Sequence, residues 1–381
     1  MDAETADNLK VLLKHFLSLS PTTPALIPSP PFPSPEQLSL PTTQEWLINN
    51  FLPNESEDLG VEEELGAAGW RRVFWRRVER GLEDGFVVRA AKLKSDLEDE
   101  EVNEKLLFEV VKYLPASLQP PNHALRTYCF GPLADIDDWK RVQTWEEGKI
   151  ITAGTTGLRV WHACIALANH LLARPSFVTS ATSILELGAG VGLLSLVMGR
   201  LNQSTARIVA TDVDSNVLER LTQNITLNGL ETNITVSKLD WDWNLTEGGR
   251  QELEKWEKTN HEETFRGVPP QLIIGADIVY DPSLTAQLAA TLAFFLRDSA
   301  STPCDSATID RAKGGVTEAL IAATIRHEST WTGFLTYCHE QGLETEILEL
   351  LNVGKDGVVG AEGWEGEGEV RLVRITRRQQ A

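Results

Sequence analysis

Nowhere does the chain carry an uninterrupted apolar run of roughly 18 residues, the length that crosses a bilayer as a helix. Its start, MDAETADNLKVLLKHFLSL, makes a poor secretory leader, being acidic first and then setting Lys10, Lys14 and His15 among its apolar residues. Cysteine is scarce: Cys129, Cys164, Cys304 and Cys338 stand far apart, with no CxxC pair. Neither a zinc site nor a disulfide framework is expected, and no other metal site is suggested. The sequons at Asn54, Asn202, Asn224, Asn233 and Asn244 then carry little weight, and an intracellular, cytoplasmic protein without a membrane partner is expected. Positive charge is also short. Thirty-five Lys and Arg face 55 Asp and Glu, a formal net charge of −20. That disfavours nucleic acid, whose binding rests on neutralising phosphates, and it favours basic partners or plain solubility.

What is present divides along the chain. At 381 residues, two folded units of unequal size are expected. Leu9, Leu12, Leu13, Phe16 and Leu17 form a helical stripe. Residues 20–43 hold eight of the 18 prolines; proline fixes φ and lacks an N–H, so this stretch reads as a loop or extended connector. In GWRRVFWRRVERGLEDG, Phe74, Val78 and Leu82 repeat at four-residue spacing beside Trp70 and Val73, and the arginine stems are expected to cover apolar area. Ser95-Asp96-Leu97-Glu98 has the form of a capping box opening a helix that Pro115 stops. Residues 1–124 are therefore expected to be a helical N-terminal region with a proline-rich linker at 20–43.

Beyond about residue 145, apolar runs of strand length alternate with helical stretches. The runs are 184–188, 207–211, 234–238, 272–276, 318–325, 343–350 and 370–376. Helical patterns fall at 193–201, 215–228, 283–297 and 329–341. Such alternation predicts an α/β unit with a parallel sheet and helices on both faces. The last two runs are joined by a glycine-rich loop with no helical pattern, which makes the final strand antiparallel, since parallel neighbours need a crossover. The expected sheet is seven-stranded, mixed and mostly parallel.

The first of these strands leads into ILELGAGVGLLSL, with Gly188, Gly190 and Gly192 at alternate positions and Leu193 next. A dinucleotide loop, GxGxxG, places its third glycine three residues after the second, which does not happen here. Glu186 stands inside the strand, and no Lys or Arg lies between Ser176 and Gly199. That setting repels a pyrophosphate and suits a cationic ligand without phosphate, for which S-adenosylmethionine is the candidate. Asp212 ends the second strand, 24 residues past Gly188, where an acidic side chain accepts hydrogen bonds from ribose hydroxyls. Asp214 is further from the strand end. After the third strand, LDWDW offers Asp240 or Asp242 to an adenine amino group and Trp241 or Trp243 to its ring.

The fourth strand ends GADIVYD, at the edge where a methyl acceptor would approach. The Asn/Asp-Pro-Pro-Tyr/Phe pattern of nucleobase amino methylation is missing; Asp277 and Tyr280 instead offer a carboxylate and a phenol to a cationic chain. A lysine has an ordinary pKa of about 10.4 and must lose a proton before it can react, so such a site has to orient and desolvate it. Asp277 could also be a helix cap for 283–297, although Asp281 or Ser283 lies closer.

TTGLRVW (155–161), ELGAGVGLLS, TDVDSNVLERLTQNITLN, LDWDW and GADIVYD, in that order, resemble the seven-β-strand protein-lysine methyltransferases. The resemblance covers about 125–381 and is greatest to the fungal elongation factor 2 lysine methyltransferases. It implies a Rossmann-like methyltransferase domain over 125–381 and S-adenosylmethionine as cofactor. By that resemblance, Trp161 closes over the methionine end, Gly188 and Gly190 let the cofactor approach, Asp212 holds the ribose, Trp241 neighbours the adenine, and Ala276 lines the site. Asp277 and Tyr280 match the acidic-x-x-Tyr motif of the substrate lysine. The expected catalytic residues are Asp277 and Tyr280. The expected cofactor residues are Trp161, Glu186, Gly188, Gly190, Gly192, Asp212, Asp240, Trp241 and Ala276. The implied partner is a protein substrate, elongation factor 2, acted on by a monomer. Another translation factor or a chaperone as target, a small-molecule acceptor, or a non-catalytic binding module remain open alternatives.

Overall fold

In the computed structural model, residues 1–20, 31–52, 61–93, 101–115, 123–148, 154–181, 183–202, 207–265, 270–297, 318–360 and 368–378 are described. They fall into two compact units, Met1–Ile150 with Lys355–Glu365, and Ile151–Gly354 with Gly366–Ala381.

The first unit carries helices α1 (Ala3–Leu17), α2 (Pro35–Leu38), α3 (Pro41–Phe51), α4 (Val61–Leu93) and α5 (Glu104–Tyr113), and the strands β1 (His123–Phe130) and β2 (Lys140–Glu147). The apolar stripe of α1 is buried at Leu9, Leu12, Leu13 and Phe16. The Phe16 ring lies 4.9 Å from that of Phe74 and 5.0 Å from that of Phe51. Phe74, Val78 and Leu82 face this core from α4, whereas Val73 is exposed. The arginines between them behave as expected: Arg71 stands over the Phe16 and Tyr113 rings and donates to the Tyr113 hydroxyl at 2.9 Å, and Arg77 lies over Phe32.

Two expectations change here. Within the stretch read as a connector, residues 21–30 lie outside the described residues, but 35–38 and 41–51 are helical. Pro35 and Pro41 each open a helix, where a missing N–H costs nothing, and Ser34 with Gln37 completes a capping box. The box at Ser95–Glu98 lies outside the described residues; α5 opens instead at Asn103, whose Oδ1 accepts from the Lys105 N–H at 3.0 Å.

The second unit holds the sheet. Its strands are β3 (Ser183–Glu186), β4 (Arg207–Asp212), β5 (Ile234–Lys238), β6 (Leu272–Ala276), β7 (Glu318–Thr324), β8 (Leu343–Leu348) and β9 (Val370–Arg377). Helices α6 (His162–Ala173) and α7 (Pro175–Ser180) precede β3, and between the strands run α8 (Leu193–Leu201), α9 (Ser215–Leu227), α10 (Glu247–Glu263), α11 (Thr285–Phe295) and α12 (Glu328–Glu340). The strand order is β5-β4-β3-β6-β7-β9-β8. All neighbours are parallel except β9, which runs antiparallel to both β7 and β8. The seven-stranded, mostly parallel sheet and its reversed last strand are thus as the sequence predicts. The chain winds outward from β3 through β4 to β5, then restarts at β6 on the other side of β3. That reversal opens a crevice beyond the carboxyl ends of β3 and β6, the usual ligand position in an open α/β sheet. None of the described helices is long and apolar enough to cross a membrane.

Candidate functional site

The crevice is a cavity of about 330 Å³ at the carboxyl ends of β3, β4 and β6. The turn after β3 builds its floor. Gly188, Gly190 and Gly192 have φ of 63°, 55° and 93°, a left-handed conformation that disfavours any side chain. Alternating them folds the strand end sharply into α8, and the first two reach the cavity wall. Gly192 does not line it. A Cβ there would stand 2.4 Å from Leu221 Cδ1, so this glycine serves close packing at the start of α8.

Gly192 is also the N-cap of α8 and has no side chain to cap with. Glu186 supplies the missing acceptor: its Oε2 receives the Ser195 N–H at 3.1 Å and a short hydrogen bond from the Ser195 hydroxyl. The residue is 2% exposed, and burial pushes its carboxyl up to about 8 despite those bonds. Glu186 lines the cavity as well, so the residue that closes this helix end also borders the cavity.

Asp212 ends β4 with its carboxylate tied to the loop. Oδ2 accepts from the Gly190 N–H at 3.2 Å, and Oδ1 from the N–H groups of Val213 and Asp214 at 2.8 and 3.2 Å. Burial raises its pKa, and those three N–H bonds pull the other way. Asp214 caps α9 through the Asn216 and Val217 N–H groups. Beyond β5, Asp240 caps a short 3-10 turn (Trp241–Leu245) by accepting from the Asp242 N–H at 3.0 Å. Asp240, Trp241 and Asp242 line the cavity; Trp243 does not and packs on the core instead. Trp241 is half-buried, and its Cζ2 lies 3.8 Å from where a Gly188 Cβ would be.

The far wall comes from the end of β6. Ala276, Asp277, Ile278 and Tyr280 line it, with Tyr280 exposed. Asp277 is buried and, at φ 54°, is one of the non-glycine residues in the left-handed region. Its carboxylate is held on both oxygens: Oδ2 accepts from the Ala163 N–H at 2.7 Å and Oδ1 from the Thr324 N–H at 2.9 Å. Asp277 therefore does cap a helix, but it is α6, far away in sequence, and not the helix that follows it. Two residues before Ala163, Trp161 sits at the N-cap of α6 and donates from Nε1 to the Thr156 carbonyl at 2.9 Å. Guanidinium groups of Arg159 and Arg326 lie 5.1 and 5.2 Å from its ring centroid.

All the site residues expected from sequence line this cavity except Gly192. Sequence reasoning missed Gly157, Arg159 and Cys164 on the wall. Gly157 sits inside the TTGLRVW motif, and its carbonyl oxygen lies 3.0 Å from the Cβ position of Gly190, a close approach that no local pattern announces. The wall presents six carboxyl side chains, Glu186, Asp212, Asp214, Asp240, Asp242 and Asp277, against the one guanidinium of Arg159. Such a lining rejects a phosphate and accepts a cation.

Part of the chain is similar in sequence to known proteins. Residues 138–308 match the lysine methyltransferase family. The protein-lysine N-methyltransferase EFM3 of Chaetomium thermophilum is 31% identical over 193 residues, which span 51% of this chain and 50% of that protein. The protein-lysine N-methyltransferase EEF2KMT of Homo sapiens is 30% identical over 215 residues, 53% and 56% of the respective chains. EFM3 of Saccharomyces cerevisiae is 28% identical over 227 residues, 56% and 58%. The chain spans about half the length of these curated relatives. Over residues 138–308 it resembles the lysine methyltransferase family in sequence.

Proposed function

We propose that the protein is an S-adenosylmethionine-dependent protein-lysine N-methyltransferase and that its target is a lysine of translation elongation factor 2. The observation that carries the chemistry is one cavity bringing together the left-handed Gly188–Gly190 turn, Asp212, Trp241, Asp277 and Tyr280. The donor set fits the cofactor: a wall rich in carboxyl groups suits a sulfonium and an ammonium, and half-buried Trp241 beside Gly188 offers an apolar face to a base. When bound, S-adenosylmethionine supplies an electrophilic methyl group. In this reading Asp212 accepts from the ribose hydroxyls, and Gly188 and Gly190 admit the ligand to the backbone. Glu186 and Trp161 bound the amino-acid end, Asp240 and Trp241 the adenine, and Ala276 the space between.

Tyr280 and Asp277 face the acceptor. Their part is to orient the amine and shield it from water while its proton leaves, because the lone pair must be free for an in-line displacement. Protein lysine as the acceptor is supported by the family match and by the relatives' names. Elongation factor 2 rests on the motif resemblance, and the net charge of −20 favours a cationic protein surface. With this goes a division of labour. Residues 125–381 carry the chemistry and residues 1–124 the target recognition, in a cytoplasmic monomer.

The test is direct. Purified protein is incubated with labelled S-adenosylmethionine and a lysate lacking its counterpart, and the labelled band is mapped to a residue. Label on a lysine of elongation factor 2 supports the proposal. Label on a lysine of a different protein retains the chemistry and rejects the target, while label on a small molecule alone rejects both.

A further inference from the structure

Two residues past β7, Arg326 reaches back toward the cavity without lining it. Its Nη1 lies 3.8 Å from Asp277 Oδ1, too far for a direct hydrogen bond but within ion-pair range. Its guanidinium also stands over the Trp161 ring at 5.2 Å. One cationic side chain thus lies against both the acidic residue at the end of β6 and the aromatic residue at the start of α6. The carboxylate it faces already accepts two main-chain N–H bonds, from Ala163 and Thr324.

An acceptor lysine poses a conflict. A bare buried carboxylate would hold the amine as ammonium and raise its pKa, leaving the lone pair occupied. A cation on the far side of that carboxylate relieves the conflict, because it offsets the negative charge the amine feels while leaving an oxygen to orient the N–H. The other ionisable groups around Asp277 are Arg159 and Cys164 on the wall near α6, His162 at the first turn of α6, Tyr280 beyond β6, and Glu186 and Asp212 across the cavity. Of these, Arg159 adds positive charge 5.1 Å from the Trp161 ring centroid, Asp212 lines the same cavity, and Glu186, raised to about 8, contributes little negative charge near neutral pH.

We propose that Arg326 is a positioning residue that fixes Asp277 and Trp161 together and lowers the proton affinity of the acceptor amine. This rests on the methyltransferase reading above. In the step it serves, the amine first gives one proton to water; its lone pair then forms the N–C bond as the C–S pair stays on sulfur.

Two measurements test it with Arg326→Gln and Arg326→Lys. The first is the pH profile of kcat with the protein substrate saturating, which reports ionisation of the bound amine. Arg326→Gln is expected to move the rising limb to higher pH by about half to one unit, while cofactor affinity stays within about threefold. Arg326→Lys keeps the charge and is expected to keep the limb. The second needs no cofactor. In the cofactor-free protein, the loss in urea midpoint for Arg326→Gln with Asp277→Asn together should be smaller than the sum of the two single losses. A merely structural arginine would lower the rate equally at every pH. An unmoved limb in Arg326→Gln, or strictly additive midpoint losses, overturns the inference while leaving the methyltransferase reading intact. Should the wild-type protein methylate no lysine at all, that reading fails and the role of Arg326 falls with it.

Discussion

Asp212 and Asp277 show how differently single residues declare themselves. Asp212 was readable from its place at a strand end, and the structure adds only why it is fixed, through the Gly190, Val213 and Asp214 N–H groups. Asp212→Ala is expected to weaken S-adenosylmethionine binding by about a hundredfold or more, since two charge-assisted hydrogen bonds are lost; calorimetric titration checks it, and unchanged affinity refutes the ribose assignment. Asp277 was legible as a candidate but not in its surroundings, because its partners Ala163 and Thr324 lie far off in sequence. Asp277→Asn retains one acceptor oxygen, so it should bind cofactor within a few fold of wild type and lose transfer. Glu186 gives a pH signature. Its carboxyl is raised to about 8 in the fold, above the ordinary value of about 4.3, so between those values the folded state holds more protons than the unfolded state. Stability due to this residue is present below that window and is lost as pH rises through about 8. Cofactor-free wild type should therefore lose melting temperature relative to Glu186→Gln between pH 5 and pH 8; parallel curves would mean that the group titrates normally.

Elements were legible where burial follows chemistry. The central strands β6 and β7 carry apolar runs, β8 and β9 alternate apolar with polar residues, and each strand lies within a few residues of its predicted place. The β1–β2 hairpin escaped notice because β2 turns Val142, Thr144 and Glu146 inward, so polar residues occupy two of the buried positions. Buried Glu146 is reconciled by the Tyr128 and Thr144 hydroxyls, both donating at 2.7 Å, a network with no trace in hydropathy. Helix α10 was missed for the complementary reason: in EGGRQELEKWEKTNHEE only Leu253, Trp256 and Asn260 are buried, too thin a stripe to read. The glycine turn separates two roles that its motif merges. Gly192→Ala meets Leu221 and adopts a strained φ, so it is expected to cost about 1–3 kcal/mol in urea unfolding while leaving cofactor affinity near wild type. Gly188→Ala meets Ile278 at 2.6 Å on the cavity wall and should impair both. Equal loss of binding in the two variants would place Gly192 in the site after all.

At the scale of the whole molecule, each unit has its own apolar core, and the chain returns to the first unit late, with residues 355–365. Sequence reading saw only a glycine-rich loop there, since what receives the segment is a lysine buried within an apolar stripe. Lys14 is fully buried, donates to the Lys355 and Gly357 carbonyls at 2.8 and 3.0 Å, and lies 5.0 Å over the Trp139 ring. Asp356 completes the docking by accepting the Leu133 N–H at 2.8 Å. Burial lowers the Lys14 pKa to about 8, below the ordinary value of about 10.4. Between these values the unfolded chain holds more protons, so the stability contributed by Lys14 rises with pH through that window. Lys14→Met leaves two carbonyls without a donor and should cost about 1–3 kcal/mol at pH 8. The deficit should widen toward pH 10, as wild type gains what the variant cannot. Cys129, which burial pushes up to about 11, titrates in the opposite sense and interacts with Lys14, so the comparison is repeated in a Cys129→Ala background to isolate the lysine. Melting curves at pH 7, 8, 9 and 10 decide it, and a gap that narrows with pH would show that Lys14 stays charged in the fold.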